Sequence, residues 1–187
     1  YIRSAIHATK SSEFEEYRQK LVKYEEIADR IEFEIASFLK DLPQESVSEE
    51  TRENINAMYK IVNELESLGD SGEAISRILT RRNMHNTTFS AENIRNIDSL
   101  INLVDKAYEI MIENLKSEKV SMLGLKKAID CEIQINDLRN LLREEEISSI
   151  EKSGANYLGS VYYMDVISEI ERMGDFIINI SQALEKK

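Results

Sequence analysis

The chain carries one unusual heptapeptide twice, as Glu64-Leu65-Glu66-Ser67-Leu68-Gly69-Asp70 and Glu169-Ile170-Glu171-Arg172-Met173-Gly174-Asp175, with four of the seven positions identical. Each copy sets a glutamate four residues ahead of an aspartate. At about 100° per residue, Glu66 with Asp70 and Glu171 with Asp175 therefore share one helix face. Two further sites echo the spacing. Glu25 precedes Asp29, and Glu132 precedes Asn136, with Asp137 adjacent. Two helices that each offered such a pair would converge up to four carboxylates on one spot, an all-oxygen donor set for hard cations such as Mg, Mn or Fe(III), with Zn a further candidate. Like charges at this spacing destabilise an exposed helix by about 0.2–0.5 kcal/mol, and by more when desolvated. A basic neighbour, a shifted pKa or a bound cation is the expected compensation.

The spacing alone is weak evidence, because 35 acidic residues among 187 give roughly six such pairs by composition. Placement adds weight at Glu171 and Asp175, whose arc also holds Met164, Ser168 and Ile178, residues expected to face protein. Glu25 and Asp29 share a mixed arc with Val22, Glu32 and Ala36. Glu66 and Asp70 share theirs with Tyr59, Val62, Glu73 and Arg77. For these two pairs a solvated acidic face competes with a site, and Arg77 is a candidate ion-pair partner. Gly69 and Gly174 each cost about 1 kcal/mol relative to Ala inside a helix. Close helix crossing and room for a ligand both account for their repetition.

Other chemistries are hard to assemble. His7 and His85 are the only histidines, and neither follows a glutamate by three residues, so the ligand pattern of di-iron bundles is missing. The sequence has no phosphate-cradling glycine loop, nucleophile elbow or zinc cysteine pair, and the chain does not read as an enzyme. Cys131 stands alone and reads as a small apolar helix residue. A net charge of −11 argues against nucleic acid, whose binding rests on Lys and Arg neutralising phosphates, and makes cations the likelier company.

Long amphipathic helices must position these residues. One Pro, six Gly and 32% charged residues favour an all-α fold. Leu21, Tyr24, Ala28, Ile31, Ile35 and Phe38 give helical spacing between Ser11 and Asp41, stopped by Leu42-Pro43-Gln44. Ser48, with Glu49 and Glu50, reads as the N-cap of a second helix that reaches about Arg81. After a polar break, Ser90 with Asn93 opens a third, which ends near Ser117. A fourth runs from about Ser121 to Lys152 with Leu125, Ala128, Ile135, Leu138, Leu142 and Ile147 on its stripe. The turn Ser153-Gly154-Ala155 leads to a fifth from Asn156 to Glu185.

Five helices become a twofold repeat once the offsets are compared. The heptapeptides lie 105 residues apart, and Ile75, Ser76 and Leu79 match Ile180, Ser181 and Leu184 at the same distance. An offset of 107 superposes Glu25 on Glu132, Ala28 on Ile135, Ile31 on Leu138, Ile35 on Leu142 and Tyr1 on Tyr108. The expectation is two tandem three-helix units, residues 1–84 and 90–187. Residues 1–9 are then the last turns of an opening helix whose earlier part precedes Tyr1. Each helix is expected to bury its stripe against two neighbours, and the two units to share surface.

The two Glu-x-Leu/Met-Gly-Asp segments, together with Tyr24-Glu25-Glu26-Ile27-Ala28-Asp29-Arg30-Ile31-Glu32 and the three-helix duplication, resemble the PhoU family. The likeness is strongest to the PhoU-like domain at the C-terminus of bacterial sodium/phosphate cotransporters. It implies a cytoplasmic, non-catalytic regulator of phosphate uptake, tethered to the inner face of the plasma membrane, with a membrane transporter domain and a second copy of the chain as candidate partners. It also implies metal clusters on the second and third helices of each repeat, here Glu25, Asp29, Glu66 and Asp70, then Glu132, Glu171 and Asp175. Asn136 departs from the expected aspartate. A carboxylate-rich metalloprotein of redox or storage type is the alternative, and a ligand-free helical scaffold a third.

Overall fold

The computed structural model describes residues 1–41, 48–117, 120–153 and 156–185, and all of its regular structure is α-helical. The order is α1 (Ile2–His7), α2 (Ser11–Lys40), α3 (Glu49–Met84), α4 (Ala91–Lys116), α5 (Met122–Ser153) and α6 (Tyr157–Glu185). Local chemistry sets the ends. The Ser48 hydroxyl accepts from the Thr51 amide at the start of α3, with Glu49 and Glu50 in the first turn to suit the dipole. Ser90 and Asn93 form a reciprocal capping box on α4. Asn86, at φ 51°, turns the chain out of α3 in the left-handed region that Asn tolerates better than most residues. The expected stop at Leu42-Pro43-Gln44 lies outside the described residues, as do Gly154 and Ala155 of the expected turn.

Packing sorts the helices into two sets of three. Among the described residues α2 packs only on α1 and α3, and α5 only on α4 and α6. The sets meet where α3 lies along α6 and where α1 touches α4. One continuous core runs through both, with Ile75, Leu79, Ile97, Leu100, Ile167 and Ile180 buried completely or almost so. The repeat recurs in detail. Ser76 and Ser181, matched by the 105-residue offset, are both buried and each bonds back to a carbonyl of its own helix. Glu64 and Glu169, the first residues of the two heptapeptides, both face the opposite unit. Glu64 accepts from Asn179 at 3.1 Å and Glu169 from Ser71 at 2.9 Å.

One expectation fails. Tyr24, Ile31, Ile35 and Phe38 are exposed, so α2 buries only part of its stripe. The cause is length. α1 has 6 residues where α4 has 26, and it covers α2 only as far as Tyr24, on which Tyr1 stacks with ring centroids 5.5 Å apart. Ile147 near the end of α5 is exposed as well.

Candidate metal centre

The glycines of the heptapeptides set the geometry. A Cβ built on Gly69 would stand 3.1 Å from Ala28 Cβ and 3.7 Å from Glu25 Cα, and one on Gly174 would stand 3.0 Å from Ile135 Cδ1. Ala28 and Ile135 are the positions matched by the 107-residue offset, so the same crossing is made in both units, α3 on α2 and α6 on α5. Close crossing is therefore the reason for the glycine in each copy. Neither neighbour gives easily. Ala28 Cβ moves only if α2 moves, and although Ile135 Cδ1 can rotate, its Cγ2 at 3.3 Å and Cβ at 3.7 Å are held by the stiff χ1 of a fully buried β-branched residue. Gly69→Ala and Gly174→Ala are accordingly each expected to lose about 1 kcal/mol net, overpacking outweighing helix propensity. Urea midpoints of the two variants check this.

In the first unit the crossing brings together Glu25 and Asp29 from α2 with Asp70 from α3. One carboxylate oxygen of each lies within 4.8 Å of the others. Glu66 adjoins them on α3. Burial, reinforced by the charge of Asp70, pushes its carboxyl above the usual range. Burial raises Glu25 as well, with Asp29, Glu73 and Asp70 adding their repulsion. Arg77, the candidate partner, turns to Glu73 at 3.1 Å instead. Among the described residues none of Glu25, Asp29, Glu66 or Asp70 is in an ion pair.

The second unit differs. Glu132 and Glu171 lie close enough to Asp175 for their charges to act on it, but among the described residues the three do not gather their oxygens as Glu25, Asp29 and Asp70 do. Burial and the charges of Glu171 and Glu132 push Asp175 up. Here Arg139 of α5 pairs with the buried Glu171, and Asn136 donates to Glu132 at 2.6 Å. Arg139 Nε and Asn136 Oδ1 are buried without hydrogen-bond partners among the described residues. Sequence reading passed over Arg139, although it follows Glu132 by seven residues and so lies on the same face. The 107-residue offset places Glu32 at its counterpart. One unit thus supplies its own cation, and the other has acids only.

The donor sets test the fit of a metal. In the first unit three carboxylates, Glu25 half-buried and Asp29 and Asp70 exposed, each offer one oxygen, a donor type that suits hard cations such as Mg, Mn or Ca better than Zn. In the second, the guanidinium already occupies the role.

A pH dependence follows. Glu25, Glu66 and Asp175 hold their protons more tightly in the folded chain, so the folded state binds more protons just above the ordinary carboxylate values of 4.5 and 3.8. Stability contributed in this way is full below those values and is lost as pH rises through the raised ones. Opposing it at the acid end, Arg18 holds Glu15 down at about 2, a contribution lost as pH falls through that value. Chelator-treated protein is expected to melt at a lower temperature at neutral pH than at mildly acidic pH, and a divalent cation to remove most of the difference. A calorimetric pH series with and without Mn checks both.

Comparison with known protein families and with curated proteins gives no match to either. No helix among the described residues is long and apolar enough to cross a membrane.

Proposed function

We propose that the chain is a non-catalytic regulatory domain of phosphate uptake, of PhoU type, acting on the cytoplasmic side of a membrane by helix-bundle contact with a sodium/phosphate cotransporter. Its first unit would hold a hard cation through Glu25, Asp29, Glu66 and Asp70. What supports the reading most is the paired crossing of Gly69 on Ala28 and Gly174 on Ile135, each with carboxylates beside it. This is the tandem arrangement that the PhoU resemblance implies. A cation bound there would neutralise the acids and clamp α2 to α3, making the stiffness of that helix pair responsive to metal supply.

The chain's own residues would do the rest. Arg3 of α1 bridges to Asp98, Asn102 and Asp105 of α4, and Glu64 and Glu169 tie α3 to α6, so movement of α2 against α3 would be felt at the junction of the units. The test is phosphate uptake in cells whose copy of the gene carries Asp29→Asn with Asp70→Asn. Uptake that no longer adjusts to external phosphate is the expected result. Uptake indistinguishable from wild type, and unchanged when the whole domain is removed, would contradict the proposal.

A further inference from the structure

At one end of the second unit the start of α4, the end of α5 and the start of α6 enclose a cleft of about 960 Å³, the size of an organic-ligand site and far more than a metal ion needs. Its charge is one-sided. Glu92, Glu144, Glu145 and Glu146 line it, with Lys152 the single basic residue among those that do. Among the described residues none of the four acids is in an ion pair. An anion would meet like charge here, and a cation the opposite one.

The matched positions of the first unit show that the fold does not need this polarity. Ser160 of α6 donates to Glu146 of α5, and the repeat offsets match these two to Ile55 and Leu39, which are 6% and 3% exposed. Tyr163 likewise matches Met58. At Leu141 the exchange runs the other way, since it lines the cleft 51% exposed and its counterpart is Glu34. The second unit thus draws an acid and a hydroxyl inward and leaves a leucine bare where the first does the opposite. Burying polar groups at positions that accept aliphatic ones costs stability, which a ligand would offset.

Tyr163 is an independent sign of one. It lines the cleft and is 1% exposed, and its hydroxyl is buried with no hydrogen-bond partner among the described residues. Burial, with the charges of Glu146 and Glu145, pushes this hydroxyl up to about 12, while Asn96 and Asn93 pull it down without reaching hydrogen-bond geometry. All four of these residues line the cleft, so the hydroxyl is directed at it. Asn93 is already engaged, donating to Glu146 at 3.0 Å and accepting from the Ser90 amide at 3.1 Å. The phenol therefore keeps its proton at neutral pH and offers an unused lone pair, a group that native interiors rarely leave unsatisfied.

We propose that the cleft binds a linear organic polyammonium ion. Its ammonium groups pair with Glu146 and the neighbouring acids, its innermost N–H donates to the Tyr163 hydroxyl, and its methylene segments lie along Leu141 and Ile150. An inorganic cation matches the charge but leaves the aliphatic wall and most of the volume unused. The cleft shares no residue with the carboxylates of the first unit, and the proposal is independent of the phosphate role.

Calorimetric titration of spermidine into the chelator-treated 187-residue chain tests it, at low ionic strength because salt screens such pairing. One equivalent per chain is expected, retained in Asp70→Asn. Tyr163→Phe should weaken binding about fivefold, the share of one hydrogen bond, without lowering the melting temperature. Glu146→Leu with Ser160→Ile, the pair that the first unit carries, should weaken it about tenfold or more in a chain that still melts cooperatively. No spermidine binding, or affinity unchanged in both variants, overturns the proposal. So does binding lost on Asp70→Asn, which would move the polyamine to the first unit, or a cleft that takes up Mg in a Glu146-dependent way and ignores spermidine. None of these results bears on phosphate uptake.

Discussion

Arg139→Met is expected to cost about 3 kcal/mol of stability at neutral pH. Among the described residues the guanidinium is the only cation paired with Glu171, which is 9% exposed and close enough to Asp175 for its charge to act there. Methionine fills much of the same volume, so the loss would come from a buried carboxylate left among like charges rather than from a cavity. Two features separate this cause from poor packing. The deficit should shrink as pH falls, because Asp175 already holds its proton above the usual range, and adding Asp175→Asn should recover a large part of it. Denaturant unfolding of the single and double variants at two pH values measures all three quantities. A single-variant loss below about 0.5 kcal/mol would place the pair with ordinary surface ion pairs.

Ile180→Ala is expected to cost about 2–5 kcal/mol. Ile180 is fully buried on α6 in the core that runs through both units, and truncation there leaves a void lined by residues that cannot all relax. Because the units share this core, the loss should appear as a lower midpoint of one cooperative transition, seen alike by probes in residues 1–84 and 90–187. Two separate transitions, with only the second displaced, would mean that the units fold independently.

The helices were legible because their signals are local. Ser48 and Ser90 announced two N-termini, and the apolar stripe of α4 announced the helix from Ala91 to Lys116. The repeat was legible because Gly69 and Gly174 stand at one crossing made twice, so both offsets survive in the sequence. The exposure of Ile31 and Ile35 was not legible from periodicity, which reports the face a helix would bury and not whether a neighbour is long enough to cover it. The carboxylate sets lay partly between these cases. Glu25, Asp29 and Asp70 meet as their helical spacing allows, but the charge balance of each set depended on which basic side chain crosses from the other helix or from the same face. Arg77 turned to Glu73 and Arg139 turned to Glu171, choices set by three-dimensional proximity.

Two homologous carboxylate sets, one neutralised from within by Arg139 and one left to an external cation, make up the central claim, and calorimetric titration of Mn into chelator-treated protein tests it most directly. The account predicts one equivalent bound per chain, abolished by Asp70→Asn and by Asp29→Asn and retained in Asp175→Asn. Absence of binding to the wild-type chain, or binding lost equally on Asp175→Asn, would contradict it.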